Sequence, residues 1–463
     1  MMEPIRTYDA IVIGSGQAGT PLSKFLAMEG LRTLLIEKRW VGGTCVNDGC
    51  SPTKAMVASA RTAWLAHQSE SMGVNTGSVS VDIKTIIDRQ QKIVHQMRSG
   101  SETGLKETDH LKLLYGEARF TAAKVLSVST PEGETIQVSA EKIFINTGLK
   151  PVIPDIPGLD QVPYLTNTSL LTYRELPGKL LILGAGYIGL EFAQMYRRFG
   201  SQVVVLERKS RILEREDSDI AKELTSILLE EGIEIKCNSS LKSVRTEGEA
   251  YKATIVQNGE DTEIEFTHLL IATGRKPELH ALQLNATGVE VDDQGYVQVN
   301  DYLETNVQGI FALGDIKGGP AFTHVSYDDY RIVTDALFKD KYRSYKNRIL
   351  PYCMFTDPQL GRVGITEQEA KRRKLNYRQT TLPNSYVARS IETGDTRGMM
   401  KAIVDADTDL ILGASILGTE GGEVVSVIQM AMLGGLTWRQ LSTAMLAHPT
   451  FSESLNNLFS KLE

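Results

Sequence analysis

The chain has 463 residues, a formal net charge of -7 with histidines neutral, 41% hydrophobic and 23% charged residues. Its mean hydropathy is -0.16, the balance of a globular protein in water, and no apolar run reaches the length of a bilayer span. The acidic balance and the lack of long basic runs argue against nucleic acid as a main partner. The opening from Met1 to Asp9 lacks the charged-then-apolar layout of a secretory signal. Four cysteines do not make a secreted disulfide framework at this length, so a cytoplasmic protein with one working pair is expected. Length alone suggests about three domains.

The first predicted strand, Tyr8 to Ile13, runs into Gly14-Ser15-Gly16-Gln17-Ala18-Gly19. A helix from Pro21 to Glu29 and a strand from Thr33 to Ile36, ending at Glu37, follow. In that context G-x-G-x-x-G permits a tight turn and brings a pyrophosphate up to a helix N-terminus. Glu37 lies where a carboxylate accepts from an adenosine ribose hydroxyl. The plainer alternative is an ordinary strand-turn-helix with a surface glutamate.

The stretch Gly42 to Lys54 holds Cys45 and Cys50 among small residues. Gly43 and Gly49 allow close backbone approach, and Pro52 and Thr53 read as the start of a helix. A thiol near a helix N-terminus favours the thiolate. A disulfide closing so short a loop would contribute only about 2 kcal/mol on the chain-entropy model. Two cysteines with no histidine nearby leave a tetrahedral metal half-ligated, so no metal site is expected. On spacing alone, a redox pair and two buried free cysteines both stay open.

Helices are expected over Lys54 to His67, with Met56, Ala60, Trp64 and Leu65 as a mainly core-packing stripe, and over Asp82 to Arg98. Strands are expected near Leu111 to Leu114, Val125 to Val128 and Lys142 to Ile145, the last closing on Asn146-Thr147-Gly148. Pro151, Pro154 and Pro157 mark a linker.

A second unit then repeats the first. Leu180 to Leu183 feeds Gly184-Ala185-Gly186-Tyr187-Ile188-Gly189, and a helix with the stripe Ile188, Phe192, Met195 and Phe199 follows. Strand Gln202 to Leu206 ends at Glu207, at the same offset from its first glycine as Glu37. Two dinucleotide sites predict two nucleotides, usually a tightly held flavin with an exchangeable nicotinamide. Glu207 favours NADH, because a 2′-phosphate would meet like charge, while Arg208, Lys209 and Arg211 keep NADPH open. Leu269 to Gly274 echoes Phe144 to Gly148, and Thr305 to Asp315 reads as a strand ending on Gly-Asp. Strands at Met399 to Ile403 and Leu410 to Ile416, helices from Glu423 onward and a Thr366/Glu369 capping box complete the pattern.

Two G-x-G-x-x-G units, G-G-T-C-x-N-x-G-C-x-P-x-K after the first, paired A-T-G-type turns and I-F-A-x-G-D occur in this order. Together they resemble the class I flavoprotein disulfide reductases, among them dihydrolipoyl dehydrogenase, glutathione reductase and mercuric reductase. The resemblance spans nearly the full length. It implies an α/β fold with two Rossmann-like dinucleotide-binding domains and a C-terminal α+β dimerisation domain. The implied boundaries are an FAD domain at 1–150 continued at 276–347, an NAD(P) domain at 151–275 and an interface domain at 348–463.

By the same resemblance, Cys50 is the cysteine that lies against the flavin and Cys45 the interchange thiol that meets the substrate. Lys54 and Glu191 match the pair near flavin N5 and the nicotinamide, and Tyr187 the aromatic that gates the nicotinamide pocket. The implied FAD contacts are Gly14, Ser15, Gly16, Ala18, Gly19, Glu37, Lys38, Gly43, Thr44, Cys45, Lys54, Ala118, Thr147, Gly148, Asp315, Ala321, Phe322, Thr323 and His324. Those of the nicotinamide nucleotide are Gly184, Ala185, Gly186, Tyr187, Ile188, Gly189, Glu191, Glu207, Leu241 and Gly274. Ala447 to Glu453 resembles H-P-T-x-x-E, with His448 as acid/base and Glu453 fixing its tautomer. In the family this histidine acts on the other subunit's cysteines, which implies an obligate homodimer. His448-Pro449 is a natural place for a cis peptide.

The implied activity passes hydride from NAD(P)H through FAD to the Cys45–Cys50 disulfide and on to a small oxidised-sulfur or disulfide substrate. Phe322 to Tyr330 and Phe451 to Phe459 most resemble the bacterial reductases tied to reactive-chlorine resistance. A Hg(II) or Cu(II) reductase and an E3-type dihydrolipoyl dehydrogenase subunit stay open as alternatives, although Ser460 to Glu463 carries no mercuric-reductase-like cysteines. Asp48 and Ser51 depart from the usual apolar residues; an acid beside the thiols either raises their pKa or binds a cation. Cys237 and Cys353 are expected to be structural.

Overall fold

The strand-glycine-helix units recur as two separate parallel sheets in the computed structural model, which describes residues 5–248 and 250–463. The first four residues of the opening stretch lie outside the described residues. By backbone contacts the chain divides into two units: residues up to 55 with 88–152 and 274–348, and residues 56–87 with 153–273 and 349–463.

In the first unit, β1 (Arg6–Ile13), β2 (Thr33–Glu37) and β3 (Leu111–Tyr115) run parallel, and β6 (Thr135–Ile145) pairs with the free side of β1. The strand Ile310–Ala312 continues the parallel set beyond β6, and Phe144 stacks on Phe311 with centroids 5.0 Å apart. Every residue of β2 is buried, which is why its centre, Leu34 to Ile36, reads as an apolar run: a parallel strand is covered on both faces. β4 (Glu117–Ala122) and β5 (Val125–Ser129) form an antiparallel extension on the first half of β6.

α1 (Gly19–Met28) starts inside the glycine string and ends one residue before the expected stop. Two helices lie in the cysteine stretch, the short α2 (Gly43–Asn47) and the longer α3 (Cys50–Gln68), and α3 begins at the cysteine rather than at Pro52. α4 (Ile83–Lys106) runs past Arg98, carried by buried Leu105. The strand expected over Thr305 to Asp315 is shorter. Thr305 N–H donates to Ile310 across a turn at Gly309, whose φ of 81° suits glycine, so extended pairing begins only at Ile310.

The second unit carries a five-stranded parallel sheet in the order Glu234–Lys236, Gln202–Leu206, Lys179–Leu183, His268–Ile271, Tyr164–Leu165. The helix Tyr187–Phe199 buries Leu190, Phe192, Met195 and Phe199, and Met56 and Ala60 of α3 join the same core. This explains why residues 56–87 group here. Trp64 lies under Arg198 at 4.6 Å and Arg397 at 5.1 Å, and Arg198 is itself held by Glu231 and Asp357. Guanidiniums paired in this way keep a buried charge satisfied.

The C-terminal part forms a five-stranded antiparallel sheet, Pro351–Met354, Gln359–Gly364, Ile411–Gly418, Met399–Asp405, Tyr377–Pro383. The helix Gly421–Leu433 covers it through Val424, Val425 and Ile428. Thr366 accepts from the N–H of Glu369, as its capping pattern predicts. Among the described residues no helix is long and apolar enough to cross a membrane.

Candidate functional site

The first glycine string turns where β1 ends. Gly14 has φ 98°, and a Cβ there would lie 2.3 Å from the Asn146 carbonyl oxygen. A Cβ on Gly19 would come within 2.0 Å of the Gly14 carbonyl oxygen, so α1 packs tightly enough to require glycine. Glu37 closes the turn: one carboxylate oxygen accepts from the Ser15 N–H at 2.9 Å and hydroxyl at 2.6 Å, the other from the Arg39 N–H at 2.8 Å. That second oxygen keeps acceptor capacity for a hydroxyl.

The cysteine stretch is built onto this loop. Gly42 donates its N–H to the Ser15 carbonyl at 3.1 Å, and a Cβ on Gly43 would lie 2.7 Å from Gly16 Cα. Buried Asn47 braces the turn by donating to the carbonyls of Val41 and Gly43 and accepting from Arg98 Nε at 2.8 Å. Asp48 is ion-paired with Arg39, and Arg39 and Arg98 both lie over the Trp40 ring, at 4.4 Å and 4.3 Å. The acid beside the thiols therefore has its counter-charge on the neighbouring strand end.

Cys45 is half-buried and Cys50 exposed, and neither is in a disulfide among the described residues. Cys50 opens α3, and its sulfur lies 3.3 Å from the hydroxyl of Thr323, which opens the helix Thr323–Phe338. The Cys45 thiol is pushed strongly up, first by its hydrogen bond with Cys50 and then by burial, while Thr323 and Lys54 pull it the other way. Negative charge on Cys50 therefore opposes ionisation of Cys45.

Arg275 is a member of this site that motif reading did not single out. Its guanidinium donates to the Leu149 carbonyl at 2.6 Å and to the Thr44 hydroxyl at 3.4 Å, next to Cys45. Burial lowers its pKa against the pull of Asp315 and Cys50. Asp315 is raised by burial and lowered by Arg275 and Lys317. Gly314 is fixed by its N–H on Asp329, a fully buried carboxylate, at 2.7 Å. The signal for Arg275 in the sequence was its place directly after the A-T-G turn; its contacts are made by the fold.

The second glycine string repeats the first. Gly184 has φ 102°, and its Cβ would meet the Ala272 carbonyl oxygen at 2.6 Å; that of Gly189 would meet the Gly184 carbonyl oxygen at 2.0 Å. Glu207 accepts from the N–H groups of Ala185 and Lys209, both at 2.9 Å, as Glu37 does from Ser15 and Arg39. Arg211 donates to the carbonyls of Leu213, Glu214 and Glu216. Glu191 is buried on the following helix and accepts from the Phe355 N–H at 2.7 Å. Leu241 starts a bulged register in a three-stranded antiparallel sheet.

His448 is exposed, and its Nδ1 lies 2.9 Å and 2.8 Å from the two carboxylate oxygens of Glu453. Nδ1 facing a carboxylate carries the ring proton, which leaves Nε2 as the basic nitrogen. The His448–Pro449 peptide is cis. On the helix Gly421–Leu433, Met430 is 65% and Leu433 58% exposed, and further along the chain Met445 is 100% exposed; exposed large apolar side chains are what a protein contact would cover.

The residues of both loops suit dinucleotides. Among the described residues, a Cβ on Gly186 or Gly148 would meet nothing within 4 Å, so these glycines leave open space, and the buried Thr147 hydroxyl has no hydrogen-bond partner. Backbone donors at two helix starts, a carboxylate at each strand end and an orphan hydroxyl form the donor set that phosphates and sugar hydroxyls require.

Residues 8–329 match the pyridine nucleotide-disulphide oxidoreductase family, and residues 350–459 match the dimerisation domain of that family. The chain is 38% identical over 457 residues to the "Probable pyridine nucleotide-disulfide oxidoreductase RclA" of Escherichia coli (strain K12), spanning 98% of this chain and 99% of that protein. It is 33% identical over 449 residues to a mercuric reductase of Lysinibacillus sphaericus, spanning 97% of this chain and 81% of that protein. Its fold matches the "Cu(II) complex of HOCl-induced flavoprotein disulfide reductase RclA from Escherichia coli" with a TM-score of 0.91 and 37% identity, over 99% of this chain and 100% of that one. A glycine loop carrying the cysteine turn, its second copy and a C-terminal dimerisation sheet thus have one common explanation: the chain is an oxidoreductase and belongs to the pyridine nucleotide-disulphide oxidoreductase family.

Proposed function

We propose that this protein is an NADH-dependent flavoprotein that reduces a small disulfide or oxidised-sulfur compound through Cys45 and Cys50. The observation that carries this reading is the seating of the cysteine turn on the first glycine loop, Gly42 on Ser15 and Gly43 against Gly16. Whatever that loop binds lies beside the thiols. Gly14 to Gly19, Glu37, Lys38, Thr44, Lys54, Ala118, Thr147, Gly148, Asp315 and Ala321 to His324 would hold FAD. The chemistry supplied by bound FAD is two-electron transfer from a reduced nicotinamide to a disulfide. The second loop, Gly184 to Gly189 with Glu191, Glu207, Leu241 and Gly274, would hold the nicotinamide nucleotide.

The protein's own residues divide the sulfur chemistry. Cys45, whose thiol resists ionisation, gives its proton to His448 of the partner subunit, held in one tautomer by Glu453. The Cys45 thiolate attacks one sulfur of the substrate disulfide, and the other sulfur leaves as a thiol with the proton from the histidine. Cys50 thiolate then attacks the Cys45 sulfur in the mixed disulfide, which releases the second thiol and restores the Cys45–Cys50 disulfide. One NADH and one solvent proton balance each turnover.

NADH is favoured over NADPH because Arg211 is already engaged by three carbonyls and the Glu207 carboxylate repels a 2′-phosphate. Steady-state kinetics with both nucleotides test this: kcat/KM should favour NADH by at least about tenfold, and equal values would contradict it. A second reading, reduction of a metal ion, is favoured by the Cu(II) complex of the structurally similar protein and the similarity to mercuric reductase. A substrate panel of small disulfides, hypothiocyanite, Cu(II) and Hg(II) against NADH-reduced protein separates the two. Reoxidation by sulfur compounds supports the first reading, and reoxidation by Cu(II) or Hg(II) alone overturns it.

A further inference from the structure

Tyr187 is the first helical residue after the second glycine loop and is only half-buried. If that loop takes the dinucleotide, as proposed above, the ring borders the ligand's path. Its hydroxyl is not loose. It donates to Glu216 Oε1 at 2.6 Å, and Tyr352, from the strand Pro351–Met354, donates to the same oxygen at 2.6 Å. The two rings lie 5.7 Å apart, tilted by 35°. Glu216 is fully buried, and its other oxygen is 3.3 Å from Nε of Arg362. Arg362 is fixed in turn by the carbonyls of Ile365 and Ala414. Burial, and then the Glu216 charge, push both tyrosine hydroxyls far above their ordinary range, so both stay donors. The backbone of this segment also closes on the loop, since Leu213 donates its N–H to the Ala185 carbonyl.

A buried carboxylate oxygen shared by two phenols holds each more weakly than it would hold one, because both donors draw on the same lone-pair density. For the Tyr187 ring to turn aside, it must give up a charge-assisted bond, and Tyr352 stays behind to keep the carboxylate partnered. That arrangement lowers the cost of release compared with a carboxylate left bare in the interior. We propose that Glu216 and Tyr352 form a catch for the Tyr187 ring and so set how tightly the nicotinamide dinucleotide is held. Both are positioning residues that act through Tyr187. The fraction of protein with the ring released then scales the apparent nucleotide affinity.

The test is NAD+ binding to the oxidised holoenzyme by titration calorimetry, where no turnover occurs. Tyr187→Phe opens the catch, and NAD+ should bind about tenfold more tightly. Tyr352→Phe leaves the carboxylate oxygen to Tyr187 alone and tightens the catch, so NAD+ should bind about threefold more weakly. In the double variant the Tyr352→Phe effect should vanish, because the catch acts through the Tyr187 hydroxyl. Shifts of the two single variants in the same direction, or an undiminished Tyr352→Phe effect in the double variant, would overturn the catch. Binding that Gly186→Val leaves intact would instead overturn the assignment of the second loop on which the catch rests.

Discussion

Thr323 brings a hydroxyl to the sulfur of Cys50 from a helix far along the chain. A donor at that position stabilises a thiolate, and it also lowers the neighbouring Cys45. Thr323→Val should therefore raise the pH midpoint at which Cys50 ionises in the reduced protein by about one unit. Thr323→Ser should restore it. The titration is read by rapid alkylation with mass-spectrometric assignment of the labelled cysteine, and equal midpoints for all three proteins would contradict the role. Cys45, whose thiol is pushed up by its hydrogen bond with Cys50 and by burial, depends for its reactivity on the proposed transfer of its proton to His448. Asp48 is a different case. Its pairing with Arg39 supplies a counter-charge to the acid and ties the cysteine turn to the strand end.

At the level of elements, both glycine loops rest on a shared local rule. Each ends a buried parallel strand, and each is closed by a glutamate at the next strand end through the same two backbone donors. Gly186 faces open space, so Gly186→Val should leave the melting temperature within about 2 °C of the wild type yet weaken NAD+ binding more than about tenfold, by filling ligand space. A large loss of stability would contradict that reading of the loop. The helix Glu367–Arg372 shows how charge ties elements together: Glu367 accepts from Lys401 at 2.7 Å and pairs with Lys371. Burial alone would raise the Glu367 carboxyl, but Lys371 and Lys401 lower it to about 2. A depressed folded-state pKa gives stability that is present above the usual value of about 4.5 and lost as the pH falls towards about 2. Glu367→Gln should cost about 1 kcal/mol in urea unfolding at pH 7, with the two proteins converging as the pH is lowered through that window.

The twin offset from Gly14 to Glu37 and from Gly184 to Glu207 made both parallel units legible in the sequence, because backbone geometry dictates that spacing. Strand cores such as Leu34 to Ile36 and Val203 to Leu206 were legible because burial on both faces leaves an unbroken apolar run. Other features were not. α3 starts at Cys50 instead of two residues later, since helix starts depend on capping contacts that short-range propensity leaves open. The turn at Gly309 shortened an expected strand. The Asp48–Arg39 pair, the place of Arg275 beside Thr44 and the convergence of Tyr187 and Tyr352 on Glu216 all join residues through the tertiary fold, and no periodicity announces them.

For the molecule as a whole, the matched dimerisation domain and the exposed Met430, Leu433 and Met445 point to a homodimer. Replacing Met430 and Leu433 together by aspartate should yield monomers in analytical ultracentrifugation, and if His448 acts on the partner subunit's cysteines, as proposed, those monomers should lose disulfide reduction while still binding NAD+. Active monomers would contradict a shared site. The central claim is that Cys50 faces the flavin and Cys45 faces the substrate. Anaerobic reduction of Cys45→Ser and Cys50→Ser holoenzymes by NADH, followed at long wavelength, tests it most directly. The thiolate-to-flavin absorbance band should survive in Cys45→Ser and be lost in Cys50→Ser; a band that persists in Cys50→Ser would contradict this arrangement.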